Sequence, residues 1–124
     1  MEKQGWVSIW FGNIKNRDSL EQYVNLIYDE NGESVPSKFF IDFNIDMDET
    51  DEDTIEKEVY KNSSNDISNL LKGCSYEDII IPKVTKNLKL KKTYNAVILI
   101  YNFEYNNKIN SANNFDFITS INYE

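Results

Sequence analysis

Six consecutive apolar residues, Ala96 to Tyr101, constrain the fold more than any other part of the sequence. Successive side chains of a strand point to opposite faces, so a run that is apolar at both sets of positions needs cover on both faces. The run is far shorter than the roughly 20 residues that an α-helix needs to cross a bilayer. It therefore predicts a central strand of a buried sheet and not a membrane span.

Two other segments have strand composition. Residues Trp6 to Gly12 are aromatic and β-branched apart from Ser8, which predicts a largely buried first strand. Near the C-terminus, alternation with polar residues predicts a half-exposed last strand, with the central strand as a candidate antiparallel partner. One set of its positions comprises Phe115, Phe117, Thr119, Ile121 and Tyr123. Asn106-Asn107 predicts a turn before this strand.

The segment after the first strand predicts an amphipathic helix. Apolar residues recur at helical spacing from Leu20 to Ile27, and Asp18 with Glu21 resembles a capping box at the start. The cluster from Asp29 to Gly32 predicts a turn. After it, Pro36 fits the first turn of a short helix that would carry phenylalanines on one face. These are Phe39, Phe40 and Phe43.

The middle of the chain predicts a third helix and leaves one segment open. Residues 57–61 favour an edge strand, with a helix that continues from Thr54 as the alternative. Ile67, Leu70 and Leu71 predict a helix behind the cap candidates Ser63 to Asp66. Gly73 lies where a left-handed residue would end that helix.

A further helix begins near Ser75 in this prediction, and Pro82 should interrupt it, so that a restarted helix runs towards Leu88. The order strand, helices, strand, strand predicts an α+β fold, a small and mostly antiparallel sheet with helices packed on it. No internal repeat or linker divides the chain, so residues 1–124 are expected to form a single domain.

Charge limits the partners of the chain. It has 21 acidic and 13 basic residues, a formal net charge of −8. Nucleic acid and anionic lipid require Lys and Arg surfaces, so neither is expected, and a cationic protein is favoured. The five lysines between Lys83 and Lys92 are expected to form a solvated helix end and turn. The competing interpretation is that the net charge only keeps a small domain soluble.

The residue types exclude much of enzyme chemistry. The chain has no histidine, which excludes histidine-based triads, zinc sites and acid–base mechanisms. Cys74 is the single cysteine, and it is expected to be a structural, partly buried thiol. The four glycines are isolated and form no phosphate-binding loop. No catalytic residue, metal or cofactor is predicted, although pairs of carboxylates leave carboxylate-only catalysis open.

The segment from Asp46 to Asp53 holds six carboxylates in eight residues. It fails the calcium-loop pattern, because Asp51 would occupy the glycine position and Lys57 the position of the bidentate glutamate. One interpretation is a solvated acidic turn. The other is a binding surface whose summed potential speeds encounter with a basic partner. The candidate partner-binding residues are Asp46, Asp48, Glu49, Asp51, Glu52 and Asp53.

Four stretches together resemble the immunity protein 22 family, and their order spans nearly the whole chain. They are Trp6 to Asn13, Pro36 to Phe40, Gly73 to Asp78 and Asn95 to Phe103. The resemblance implies a non-enzymatic bacterial immunity protein of a polymorphic toxin system, which binds and blocks its cognate toxin. The N-terminus shows no export signal, so the expected location is the cytoplasm.

The class of toxin is open at this point. A nuclease would fit, because nucleases are usually cationic and an acidic inhibitor competes electrostatically with nucleic acid. Two other functions compete with toxin binding. One is a general acidic interaction module or adaptor without a toxin partner, and the other is an enzyme that uses carboxylates alone.

Overall fold

The computed structural model describes residues 2–106 and 108–124, except for the side chain of Asn87. In chain order, the strands are β1 (Glu2–Gly12), β2 (Ile27–Tyr28), β3 (Ser34–Val35), β4 (Ile55–Ser64), β5 (Tyr94–Phe103), β6 (Ser111–Ala112) and β7 (Phe115–Asn122). The helices are α1 (Arg17–Val24), α2 (Lys38–Asp42), α3 (Ile67–Leu71) and α4 (Glu77–Asn87), together with two 3₁₀ helices, Met47–Glu49 and Glu52–Thr54. The turn expected at Asn106-Asn107 lies outside the described residues because Asn107 is not among them.

One five-stranded sheet, in the order β4-β5-β1-β7-β6, organises the chain. All of its strand pairs are antiparallel, and β2 pairs with β3 as a separate hairpin. The predicted α+β fold with a mostly antiparallel sheet is therefore confirmed. Residues 57–61 lie in β4 at one edge of the sheet, so the edge strand is confirmed and the helical alternative is wrong.

The apolar run that predicted a central strand lies within β5, and helices cover both of its faces. Ile98 and Ile100 belong to a cluster that contains the buried residues of α1 and α2. Val97 and Leu99 belong to a second cluster that contains the buried residues of α3 and α4. All four side chains are at most 2% exposed. The two-sided apolar pattern therefore reflects two helical layers, one on each side of the sheet.

The last strand, β7, pairs with β1 and not with β5, so the expected pairing of the last strand with the central strand is wrong. β1 itself is apolar on both faces, because Ile9 packs in one cluster and Trp10 in the other. Between β5 and β7, β1 lies inside the sheet, where the helical layers on the two sides bury both of its faces. Close approach is possible at Gly12, where the ring of Phe115 occupies the space that a Cβ would need.

The first helix is shorter than its apolar pattern suggested, and its cap is different. It ends at Val24, and Ile27 lies in β2 with 57% of its surface exposed. The side chain of Asn16 caps the helix by accepting a hydrogen bond from the backbone N–H of Ser19 at 2.8 Å. Asp18 lies in the first turn instead, where its negative charge interacts favourably with the positive end of the helix dipole.

Helix α4 runs without a break through Pro82, so the predicted interruption is wrong. Pro82 lacks an N–H and gives up one bond, to the carbonyl of Asp78. Burial of Ile80 and Val84 against the sheet offsets that loss, since these side chains are at most 2% exposed.

The predicted third helix is confirmed as α3. Its N-cap is Asp66, whose carboxylate accepts from the N–H of Ser68 at 2.9 Å. Gly73 adopts a φ of 90°, the left-handed conformation that was expected at the helix end.

Candidate functional site

The acidic segment, residues 46–53, forms the two 3₁₀ helices that lead into the edge strand β4. The carboxylate of Asp46 accepts a hydrogen bond from the N–H of Asp48 at 2.9 Å and begins the first. The carboxylate of Asp51 accepts from the N–H of Asp53 at 3.0 Å and begins the second. Two of the six predicted site residues therefore cap local structure. The signal for this role is the aspartate itself, because an Asp side chain readily accepts from the backbone N–H two residues further on.

The acidic segment lies on the side of the sheet that carries α1 and α2, because the flanking Ile45 and Ile55 pack on that cluster. Five of its carboxylate residues are exposed and Glu49 is partly buried. The exposed ones are Asp46, Asp48, Asp51, Glu52 and Asp53. None of these five forms a salt bridge within residues 2–106 and 108–124. The structure thus exposes five carboxylates of one sign on a short segment of the chain.

A hairpin of residues 27–35, here called the hairpin arm, reaches the acidic segment. The hydroxyl of Tyr28 donates to a carboxylate oxygen of Glu52 at 3.3 Å. The negative charge of Glu52 raises the pKa of Tyr28 above its usual value, so the phenol remains a neutral donor. The arm and the acidic segment therefore form one continuous surface.

The turn of the hairpin arm is held by Asp29. Its carboxylate accepts from the N–H groups of Asn31 and Glu33 at 2.9 and 3.0 Å, and Gly32 provides a φ of 78°. Sequence reasoning predicted the turn and missed the hairpin, because strands of two residues are too short to show alternation. The signal was present as β-branched and aromatic residues on both sides of the turn cluster.

A groove of about 560 Å³ follows the edge strand β4, which begins directly after the acidic segment. In its wall, the Glu56 carboxylate accepts from the N–H and hydroxyl of Ser75 at 3.0 and 2.6 Å and from the hydroxyl of Tyr101 at 2.7 Å. Burial opposes the charge, but these donors outweigh it and lower the pKa of Glu56. The carboxylate is thus held ionised and tied into the fold, unlike a general acid, whose pKa is raised.

Cys74 lines the same groove and is half-buried. Burial raises the pKa of its thiol to about 11. At neutral pH the group is therefore a thiol and not the thiolate that nucleophilic catalysis requires. This environment agrees with the structural role expected from the sequence.

Three further features of the described residues concern metal ions, membranes and the lysines near α4. Residues 2–106 and 108–124 contain no group of three His, Cys, Asp or Glu side chains that could hold a metal ion. In the same part of the chain, no helix has the length and apolar character needed to span a membrane. Of the five lysines near α4, Lys83 donates to the carbonyl of Asn122 at 2.6 Å and Lys92 pairs with Asp116 at 3.5 Å. These two lysines are engaged with β7.

Fold and surface together define a small α+β protein with an exposed face that is acidic and partly apolar. Residues 7–124 match the family described as Immunity protein 22, and the chain belongs to this family. Neither the curated proteins nor the solved structures contain a significant match to it. Membership implies a function in neutralising a toxin, and therefore a toxin protein as partner.

Proposed function

We propose that this protein binds a cognate bacterial toxin in the cytoplasm of the producing cell and neutralises it by direct protein–protein contact. The observation that carries the proposal is the family match, which extends over residues 7–124. The exposed acidic face supports it, because protein–protein contact needs an accessible surface and the carboxylates of residues 46–53 are mostly exposed. In this role the protein acts as one domain and as part of a polymorphic toxin system.

The toxin in this proposal is a cationic protein, and a nuclease is the class that fits the charge best. The formal net charge of −8 and the five exposed carboxylates of the acidic segment favour encounter with a basic surface. Electrostatic steering of this kind raises association rates by roughly 10- to 1000-fold at low salt. Rapid capture is valuable against a toxin, since each free molecule damages the cell until it is bound.

Inhibition by binding, without catalysis, is supported by the chemistry of the chain. Histidine is absent from the sequence, Glu56 is held ionised by three donors, and Cys74 carries a raised thiol pKa. None of these groups is prepared for proton transfer or nucleophilic attack. A binder of this kind should act stoichiometrically.

The direct test uses the toxin domain encoded beside the gene for this chain. Purified toxin is titrated with the protein and its activity is measured, on plasmid DNA and on RNA for a nuclease. We expect activity to fall to zero at a fixed stoichiometric ratio, and toxin separated from the complex to recover its activity. Inactivation by far less than one equivalent would indicate an enzyme. Binding without any loss of toxin activity, or no binding at all, would favour the adaptor function.

A further inference from the structure

The hairpin arm carries apolar surface that the core of the protein does not use. All of residues 27–35 are exposed, and the side chains of Ile27, Tyr28 and Val35 are 57%, 58% and 37% exposed. A two-stranded hairpin is marginally stable by itself in water, so an arm that buries so little contributes little to folding. Its apolar residues therefore call for an explanation outside the fold.

The three side chains are arranged on the two faces of the arm. Ile27 and Val35 are cross-strand partners in β2 and β3, so they lie on one face as an apolar pair. Tyr28 follows Ile27 and therefore lies on the opposite face, where its hydroxyl meets Glu52. Asp29 fixes the turn between the strands. A surface held in this way loses less conformational entropy on binding than a flexible loop would.

Charge decides which partner suits this surface. The arm contains Asp29, Glu30 and Glu33 and no lysine or arginine, and the acidic segment beside it contains six further carboxylates and no basic residue. The exposed Ile79 lies in α4, whose N-cap is the exposed Tyr76, and this helix carries both acidic residues, Glu77 and Asp78, and basic residues, Lys83 and Lys86. The arm, in contrast, is an exposed apolar surface surrounded by charges of a single sign.

We infer that the hairpin arm is the anchoring element of the toxin interface and enters an apolar cleft rimmed by lysine and arginine, which covers Ile27 and Val35 on one face of the arm and the ring of Tyr28 on the other. This inference rests on the proposed function and identifies the surface that performs it. Buried aromatic and aliphatic anchors provide most of the affinity of an interface, and surrounding charges mainly set the association rate. The arm and the acidic segment therefore divide these two tasks.

The test compares variants of the full-length protein for binding to the neighbouring toxin domain by surface plasmon resonance. The double variant Ile27→Ala, Val35→Ala and the single variant Tyr28→Ala should each weaken Kd about 30-fold or more, chiefly through faster dissociation. Tyr28→Phe keeps the ring, and it should retain most of the affinity. Ile79→Ala removes an exposed isoleucine of α4 and is the matched control, with an expected change below about 3-fold.

A second measurement uses only the wild-type protein, so its result does not depend on whether a variant folds. Hydrogen exchange on wild-type protein, free and toxin-bound, should show new protection of the amides in residues 27–35. Unprotected arm amides, or arm variants that bind like wild type while wild type inhibits the toxin, would overturn the inference and leave the proposed function intact. If the wild-type protein does not bind the toxin, the proposed function fails and the inference fails with it.

Discussion

Strand β5 and the hairpin arm contain similar residues, but β5 is buried and the arm is exposed. Both contain isoleucine, valine and tyrosine, yet Ile98 in β5 is 0% exposed and Ile27 in the arm is 57% exposed. In β5 the apolar run is long enough to pair along both edges and to receive helices on both faces. The arm has two residues in each strand and no layer above it. Apolar composition therefore identifies strands, and only its length and two-sidedness identify the core.

This difference in burial predicts that β5 contributes to stability and the hairpin arm does not. Truncating a β5 side chain removes packing on a face that helices cover, so we expect Ile98→Ala to reduce the free energy of unfolding by roughly 2 to 5 kcal/mol. The same truncation at Ile27 should change it by less than about 0.5 kcal/mol. Urea unfolding followed by circular dichroism measures both. Equal losses in the two variants would mean that the arm belongs to the folding core after all.

A smaller effect is expected at Glu56, between the core and the exposed edge. Replacing it with glutamine weakens hydrogen bonds from Ser75 and Tyr101, which should cost roughly 1 to 2 kcal/mol at pH 7. Glu30→Gln, at the exposed turn of the arm, is the matched control and should cost less than about 0.5 kcal/mol.

The Glu56 contribution should also depend on pH in a defined direction. The pKa of Glu56 is lower in the folded protein than its ordinary value of 4.5, so the unfolded chain takes up a proton first as the pH falls. The stabilisation is complete above about pH 5.5 and is lost as the pH falls through the folded pKa. The stability gap between wild type and Glu56→Gln should therefore narrow towards pH 3. A gap that stays constant from pH 7 to pH 3 would show that the carboxylate charge contributes nothing.

The elements predicted well from the sequence are those whose own residues determine them. The run from Ala96 to Tyr101 is apolar at both alternating sets of positions, and such a run is stable as a strand that is covered on both faces. The pairing of β7 was not determined in this way, because its alternation fits either neighbour and the choice depends on where β1 inserts. The interruption of α4 that was predicted at Pro82 is wrong for a similar reason, because the side chains that bury α4 come from residues distant in sequence.

The candidate site shows the same limit. The density of charge predicted exposure correctly for five of the six carboxylate residues of the acidic segment. It could not show that Asp46 and Asp51 are capping residues, because that role depends on the turn geometry. Nor could it show that Tyr28 reaches Glu52, a contact between residues 24 positions apart. A single sequence shows the charge and polarity of each segment. It does not show which distant segments come together to form one surface.

The smallest effect on folding is expected where the effect on association should be clearest. Asp48, Glu52 and Asp53 are exposed and do not cap either 3₁₀ helix, so the triple variant Asp48→Asn, Glu52→Gln, Asp53→Asn removes charge and keeps both caps. The amide oxygen at position 52 can still accept from the hydroxyl of Tyr28. Stability should stay level or rise slightly as self-repulsion falls. Association with the toxin should slow at low salt, and its dependence on salt should flatten.

The control must change net charge equally and elsewhere. Glu2→Gln, Asp66→Asn and Asp78→Asn together neutralise three exposed carboxylates, so both triple variants change the formal net charge from −8 to −5. At Asp66 the asparagine keeps the oxygen that caps α3. If steering comes from the acidic segment, only its own variant should lower the association rate strongly. Equal slowing of the two variants would assign steering to net charge alone. An unchanged rate in the first variant would mean that the acidic segment is only a solvated face, and that recognition must lie elsewhere.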